Sequence, residues 1–289
     1  VFLGQQDGPL GSGSITIYGI AAGGSSYGIY ENANSTPNAI RTTGTGNISL
    51  YTDTIYLSVA SAINSAGVLT IAPYTAGTTM GLGTGAGTFT LSDTYLNYLT
   101  ANSYVFGSTS TGDMNIATGR NFGDKNVNFI SGGNITLSSS LTKSSGTATA
   151  NYLFQANGNI SNTSGVGVSA SSGSINLTMT SDNDVSGAGS ITLTSAPLSV
   201  NGGTITLNSN GQSVTQSGSI GGDETINSSN GAVSIGVLDG DTAGTRSLTV
   251  NAGTATFTTT GAIGATNKLN NLTISADDVA LGANVAGGG

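Results

Sequence analysis

Gly189-Ser190-Ile191-Thr192-Leu193 and, fourteen residues later, Gly203-Thr204-Ile205-Thr206-Leu207 are two copies of one phrase: glycine, a small polar residue, an aliphatic, Thr/Ser/Asn, another aliphatic. The phrase also reads Gly13-Ser14-Ile15-Thr16-Ile17, Gly46-Asn47-Ile48-Ser49-Leu50, Gly133-Asn134-Ile135-Thr136-Leu137 and Gly173-Ser174-Ile175-Asn176-Leu177. Looser versions start at Gly67, Gly87, Gly112 and Gly231. Each is a turn residue followed by a short strand with its apolar side chains on one face. A supersecondary unit repeated this often marks a quasi-one-dimensional protein.

Near-identical strands stack best on themselves, Ile over Ile and Thr over Thr, in a parallel ladder. The expected fold is therefore all-β, a right-handed parallel β-helix (β-solenoid) of roughly 12–14 coils, with a coil consuming about 20 to 25 residues. A sandwich is the alternative, since hairpin-type turns occur at Asn157-Gly158, Asn201-Gly202, Asn210-Gly211, Asn230-Gly231 and Asp239-Gly240. Ile135, Leu137, Ile175, Leu177, Ile191, Leu193, Ile205 and Leu207 are predicted to point inward, and Thr136, Asn176, Thr192 and Thr206 outward. The spacing breaks at residue 158: phrases recur after 20 to 25 residues between residues 46 and 158 and after 13 to 16 beyond it. Beyond it, either phrases fall on more than one side of each coil or the coils are smaller. Leu91 to Leu99 departs from the pattern, with partly helical spacing and Ser92 or Asp93 available as a cap.

Two segments differ in surface. Residues 1–152 hold all ten tyrosines and form a tyrosine-rich solenoid segment with coils of about 20–25 residues. Residues 153–289 form a Gly/Ser/Thr/Asn-rich, acidic segment, read as continuous with the first. The start at Val1 and the tail Gly287-Gly288-Gly289 read as a chain excised from something longer or processed.

Only 7% of the 289 residues are charged, for a net charge of −8. The six basic residues, Arg41, Arg120, Lys125, Lys143, Arg246 and Lys268, are scattered, so no phosphate-tracking patch forms and nucleic acid is not an expected partner. No apolar run is long enough to insert in a membrane. The chain has no cysteine and no histidine, which removes disulfides, thiolate sites and the commonest general base and metal ligand. No catalytic site and no cofactor are expected.

Acidic pairs at Asp182/Asp184, Asp223/Glu224, Asp239/Asp241 and Asp277/Asp278 read first as solvated loop carboxylates. Asp182, Asp184, Asp239 and Asp241 are weak calcium candidates, because oxygen ligands at short spacing suit that ion, but no EF-hand glycine and distal glutamate follow. Asp53, Asp93 and Asp113 fall near repeat positions and are the carboxylates to consider for a sugar-cleaving groove. Tyr18, Tyr27, Tyr30, Tyr51, Tyr56 and Tyr74 cluster early in the chain, as core fillers, partner contacts or glycan contacts. Asparagines in the turns are expected to form stacked ladders.

Gly85-Ala86-Gly87-Thr88-Phe89-Thr90-Leu91-Ser92-Asp93-Thr94-Tyr95-Leu96 followed by Gly112-Asp113-Met114-Asn115-Ile116 resembles the repeats of filamentous-haemagglutinin-like proteins, the β-helical bacterial exoproteins exported by two-partner secretion. So does Arg246-Ser247-Leu248-Thr249-Val250-Asn251-Ala252-Gly253 with Gly261-Ala262-Ile263-Gly264 and Leu269-Asn270-Asn271-Leu272-Thr273-Ile274. The family's amino-terminal secretion domain is not recognisable. The resemblance implies an extracellular or bacterial cell-surface location and a role in adhesion, biofilm formation or fibre formation. The corresponding expectation is a structural protein that stacks coils into a fibre, filament or adhesin shaft. Its partners would be copies of itself head to tail or further coils of a longer chain, with surface glycans as a further possibility. A carbohydrate-binding or carbohydrate-cleaving β-helix is the alternative. For head-to-tail docking the interface candidates are Val1, Phe2, Leu3, Tyr18, Tyr27 and Tyr30.

Overall fold

The structure is a computed structural model that describes residues 13–21, 26–31 and 40–286. Val1, Phe2 and Leu3 lie outside the described residues. The chain winds as a parallel β-solenoid built on two long sheets. Sheet I runs Ile15–Gly19, Ile48–Thr52, Ile63–Ala72, Leu99–Ser108, Asn126–Ser131, Thr149–Ala156, Ser174–Thr180, Ile205–Asn208, Glu224–Asn227, Ser247–Asn251 and Asn271–Ser275, with Ile40–Arg41 beside the third of these. Sheet II faces it with Phe89–Leu91, Met80–Gly83, Met114–Ala117, Ile135–Leu137, Ile160–Asn162, Ile191–Ser199, Val214–Ile220, Val233–Gly240, Thr256–Thr259 and Asp278–Leu281. Leu141–Lys143 and Val168–Ala170 complete sheet II, and a small third sheet pairs Ile29–Glu31 with Ile55–Leu57.

Along sheet I the described residues make eleven rungs, and coil length varies more than the phrase spacing suggests. One coil separates Ser14 from Asn47, 33 residues apart, and another separates Asn208 from Asn227, only 19 apart. The 25-residue coil is the norm in the middle of the chain. Longest of all is the coil from Leu69 to Tyr104, which carries an extra strand, Phe89–Leu91, and the helix Asp93–Asn97. Of the two cap candidates it is Ser92 that caps that helix, its Oγ accepting from Tyr95 N–H at 3.2 Å, and Leu96 packs inward.

The closer phrase spacing after residue 158 has a simple cause. Ile160, Ile191 and Val214 lie on sheet II, whereas Leu177, Ile205 and Glu224 lie on sheet I, so successive phrases alternate between sides of the same coil. The Asn-Gly turns are corners rather than hairpins. Asn210 and Gly211 both take positive φ (47° and 97°) and join Ile205–Asn208 on sheet I to Val214–Ile220 on sheet II. Glycine opens the phrase because coils approach closely there: a Cβ on Gly203 would overlap the Ile175 carbonyl of the coil below.

Between the sheets lies a dry core arranged in columns. One runs Ile71, Phe106, Phe129, Phe154, Met179, Leu207, Ile226, Val250, all buried and each in register with the next. Phe129 and Phe154 have ring centroids 4.9 Å apart. The eight positions predicted to face inward are all buried; Thr136, Asn176 and Thr206 are half-buried, and Thr192 is exposed. Ile191→Asp therefore places an unpaired charge in this core and is expected to cost more than about 3 kcal/mol, whereas Thr192→Asp stays within roughly 0.5 kcal/mol. Chemical denaturation of both variants, followed by circular dichroism, checks the difference; equal damage would overturn the assignment of faces.

Candidate interaction surfaces

What binds one coil to the next, apart from the backbone ladder, is a set of side-chain oxygens at the ends of the strands. Asn151 N–H and Nδ2–H donate to Asn126 Oδ1 (2.8 and 3.0 Å), and Asn176 Nδ2–H donates to Asn151 Oδ1 (3.0 Å). A second ladder starts on a carboxylate: Asn134 donates twice to Asp113 Oδ1, Asn159 twice to Asn134 Oδ1, and Ser190 twice to Asn159 Oδ1. A third links Asn208, Asn227 and Asn251. Asn134 and Asn159 lie in the turns, where ladders were expected, whereas the ladders through Asn126, Asn151 and Asn176 and through Asn208, Asn227 and Asn251 run along strand residues.

The carboxylates play the same part, which the sequence did not disclose. Asp53 accepts from Tyr74 N–H, Thr75 N–H and Thr75 Oγ1–H of the following coil. Asp223 accepts from Ser247 N–H, and Asp239 from Thr266 N–H and Asn267 N–H. Asp93, the first residue of the helix, accepts from the Thr118 hydroxyl. The three residues considered for a sugar-cleaving groove are thus each held by the protein's own donors.

The calcium candidates are distributed likewise. Asp182 is buried at a positive φ of 48°, its carboxylate accepting from Ser186 Oγ–H, Gly187 N–H and Ala188 N–H (3.2, 3.1 and 3.3 Å for Oδ1). Asp184 accepts from Ser186 N–H. Asp241 is engaged twice by Arg246, through Nε (2.7 Å) and Nη2 (3.0 Å), and that bond first of all holds its carboxyl below the usual range. Among the described residues no three acidic side chains gather as a metal site would require. Of the four acidic pairs, Asp277/Asp278 is exposed as expected, whereas Glu224 is fully buried in the core.

Two basic residues are absorbed in similar fashion. Lys143 points into the solenoid and is fully buried; its Nζ donates to the carbonyls of Ser145, Gly146 and Ser172 and pairs with Asp124 Oδ1 at 2.8 Å. The Lys143 hydrogen bond is the main reason that the Asp124 carboxyl sits below its ordinary range. Arg120 lies over the Tyr104 and Phe122 rings, about 5 Å from each centroid, and donates to Leu99 O and Tyr104 Oη.

The tyrosines of the first quarter do not fill the core. Tyr18 stacks on Tyr51 (centroids 5.1 Å, 14° between planes), with Tyr74 edge-on to Tyr18. Tyr30 stacks on Tyr56 (4.9 Å, 14°); Tyr27 leans on both, and Tyr95 joins from the helix. Tyr18, Tyr27, Tyr30 and Tyr74 are exposed, Tyr18 at 60%. They form two aromatic patches on outer faces, whereas the core takes Tyr104 and Tyr152, where burial raises both phenols. Outward placement was hidden in the sequence because Ile15-Thr16-Ile17-Tyr18 continues a period of two that assigns Tyr18 to the Thr16 face, yet aromatic rings ordinarily argue for burial.

At the far end of the described chain the core column is bare. Val279 stacks on buried Phe257 but is 51% exposed, and Leu281 is 59% exposed. Leu272 and Ile274 on the facing strand are half-buried against the core. No family model, curated protein or solved structure matches the chain.

Two outcomes follow from the anchored carboxylates. Asp182→Ala removes the buried carboxylate that gathers three donors of the exposed 186–188 loop and is expected to cost about 1 kcal/mol, read as a lower midpoint in urea and faster proteolysis near residues 182–190. Asp124→Asn removes a carboxylate whose folded-state proton affinity is depressed. Its contribution is present above the usual carboxylate range and is lost as the pH falls through it. The variant's melting temperature is therefore expected below that of the parent at pH 7, with the gap closing in acid.

Proposed function

We propose that this chain is a shaft segment of a bacterial extracellular fibre, filament or adhesin, and that its work is mechanical. The observation that carries this reading is the continuity of sheet I through eleven described rungs, in register except for one shift between Ser65 and Val68, with side-chain ladders bracing several of the coils. At roughly 4.8 Å per step, ten steps make a rod about 48 Å long. An outer surface rich in Thr, Ser and Asn and poor in charge suits a spacer that keeps water around it without attracting counter-ions. Val279 and Leu281, exposed on the last described strand of sheet II, offer an apolar surface that suits a second copy seated head to tail.

A second reading, carbohydrate binding, is favoured by the exposed tyrosine patches around Tyr18 and Tyr30. Negative-stain imaging of the purified chain separates the two. The shaft reading expects rods that join end to end, and Val279→Asp/Leu281→Asp is expected to abolish the joining while leaving single rods intact. Rods that never join, together with glycan-array binding that Tyr18→Ala and Tyr30→Ala remove, would replace the shaft reading by the second.

A further inference from the structure

One rung of the core breaks the apolar rule on both sheets at once. On sheet I, the column Tyr152, Leu177, Ile205 continues to Glu224 and then Leu248. On sheet II, Leu193 is followed by Gln216 and then Ile235. Glu224 and Gln216 are each about 1% exposed and meet across the core, Gln216 Nε2 donating to Glu224 Oε1 at 2.9 Å and Oε2 at 3.1 Å. The sequence carries the exchange openly: Thr204-Ile205-Thr206-Leu207-Asn208 becomes Asp223-Glu224-Thr225-Ile226-Asn227, and Ile191-Thr192-Leu193 becomes Val214-Thr215-Gln216.

The hydrogen bonding is incomplete in a telling way. Gln216 Oε1 is buried and has no donor, while its amide serves both carboxyl oxygens. A carboxylate has no proton to offer that oxygen, whereas a carboxylic acid does, and a side-by-side acid–amide pair then satisfies both groups. Among the described residues no cation pairs with Glu224. Its register neighbours are Ile205 and Leu248, those of Gln216 are Leu193 and Ile235, and the flanking acidic residues Asp223 and Asp239 are tied to Ser247 and to Thr266 and Asn267 of the following coil. Arg246, just before the next strand, is occupied by Asp241.

We propose that Glu224 and Gln216 form a neutral acid–amide latch that closes the ninth rung when Glu224 holds its proton and loosens that rung when the proton is lost. Burial pushes the Glu224 carboxyl from the usual 4.5 to about 8, the Gln216 hydrogen bond only partly opposing it. The sign follows directly. Between about pH 4.5 and pH 8 the folded chain holds a proton that the unfolded chain has released, so stability is full below 4.5, falls as the pH rises through that window and levels off above about 8. The assignment is unusually clean, because the chain has no histidine and no cysteine, and so none of the side chains that ordinarily titrate between pH 5 and 8. The three rungs from Glu224 onward are the part of the solenoid that a loosened ninth rung would uncouple.

The test is the urea midpoint of the parent chain and of Glu224→Gln, measured from pH 4.5 to 9, with infrared difference spectra of the parent. The parent's midpoint is expected to fall steadily up to about pH 8, and Glu224→Gln, which keeps the shape and the hydrogen bonds without the titrating proton, to flatten that fall. The infrared spectrum at pH 6 is expected to hold a protonated-carboxyl band that Glu224→Gln removes. A variant with the parent's pH dependence would overturn the proposal. If Glu224→Gln does not fold, a parent spectrum at pH 6 with no protonated-carboxyl band overturns it by itself.

Discussion

Everything in this solenoid rests on one constraint: a residue must tolerate its counterpart one coil away at the strand-to-strand distance of roughly 4.8 Å. Parallel, in-register stacking turns every position into a column, and a column is stable only if its members satisfy one another. Apolar columns do so by contact, as from Ile71 through Phe154 to Val250. Polar columns do so when one side chain both donates and accepts, which is why asparagine recurs at Asn126, Asn151 and Asn176 and at Asn134 and Asn159. Carboxylates fit such a column where backbone or amide N–H groups of the next coil meet them, as at Asp113 and Asp53, and at Asp223, which stands between Thr204 and Ser247. A column of charges would repel itself, so the low charge content is a consequence of the fold rather than an independent trait.

The same constraint explains what could be read from the chain and what could not. The phrase Gly-x-Ile-Thr-Leu displays its own column, so the solenoid, the inward aliphatic positions and the turn asparagines were legible. The helix after Ser92 was legible as well, because its spacing breaks the period of two. Which sheet each phrase joins was not: Ile191 and Ile205 look alike and lie on opposite sheets. Nor was the role of the acidic pairs. Asp182, Asp239 and Asp241 share a sequence pattern with cation-binding loops, but their partners lie at separations from 4 to 28 residues, which no local motif records.

Glu224 was misplaced for a related reason. Read along the chain, Asp223-Glu224 is an acidic pair in a polar turn; read down the column, Glu224 occupies an Ile/Leu site. The column reading requires the register, and the register of the 19-residue coil is the shortest in the described chain. Once it is fixed, Gln216 on the facing strand identifies the substitution as paired, because an isolated buried carboxyl would be far harder to accommodate than one with an amide partner.

The tyrosines extend the stacking rule to an outer face. Tyr18 over Tyr51 and Tyr30 over Tyr56 are each one coil apart in register, with their ring planes nearly parallel. Rings stacked in this way cover one another's faces and direct their edges and phenolic oxygens sideways. In the first ladder Tyr18, on the first described rung, is the most exposed tyrosine, with Tyr74 edge-on to it. Lateral contacts to these patches are accordingly hydroxyl-rich and directional, a chemistry that arises from the same coil-to-coil stacking that builds the core.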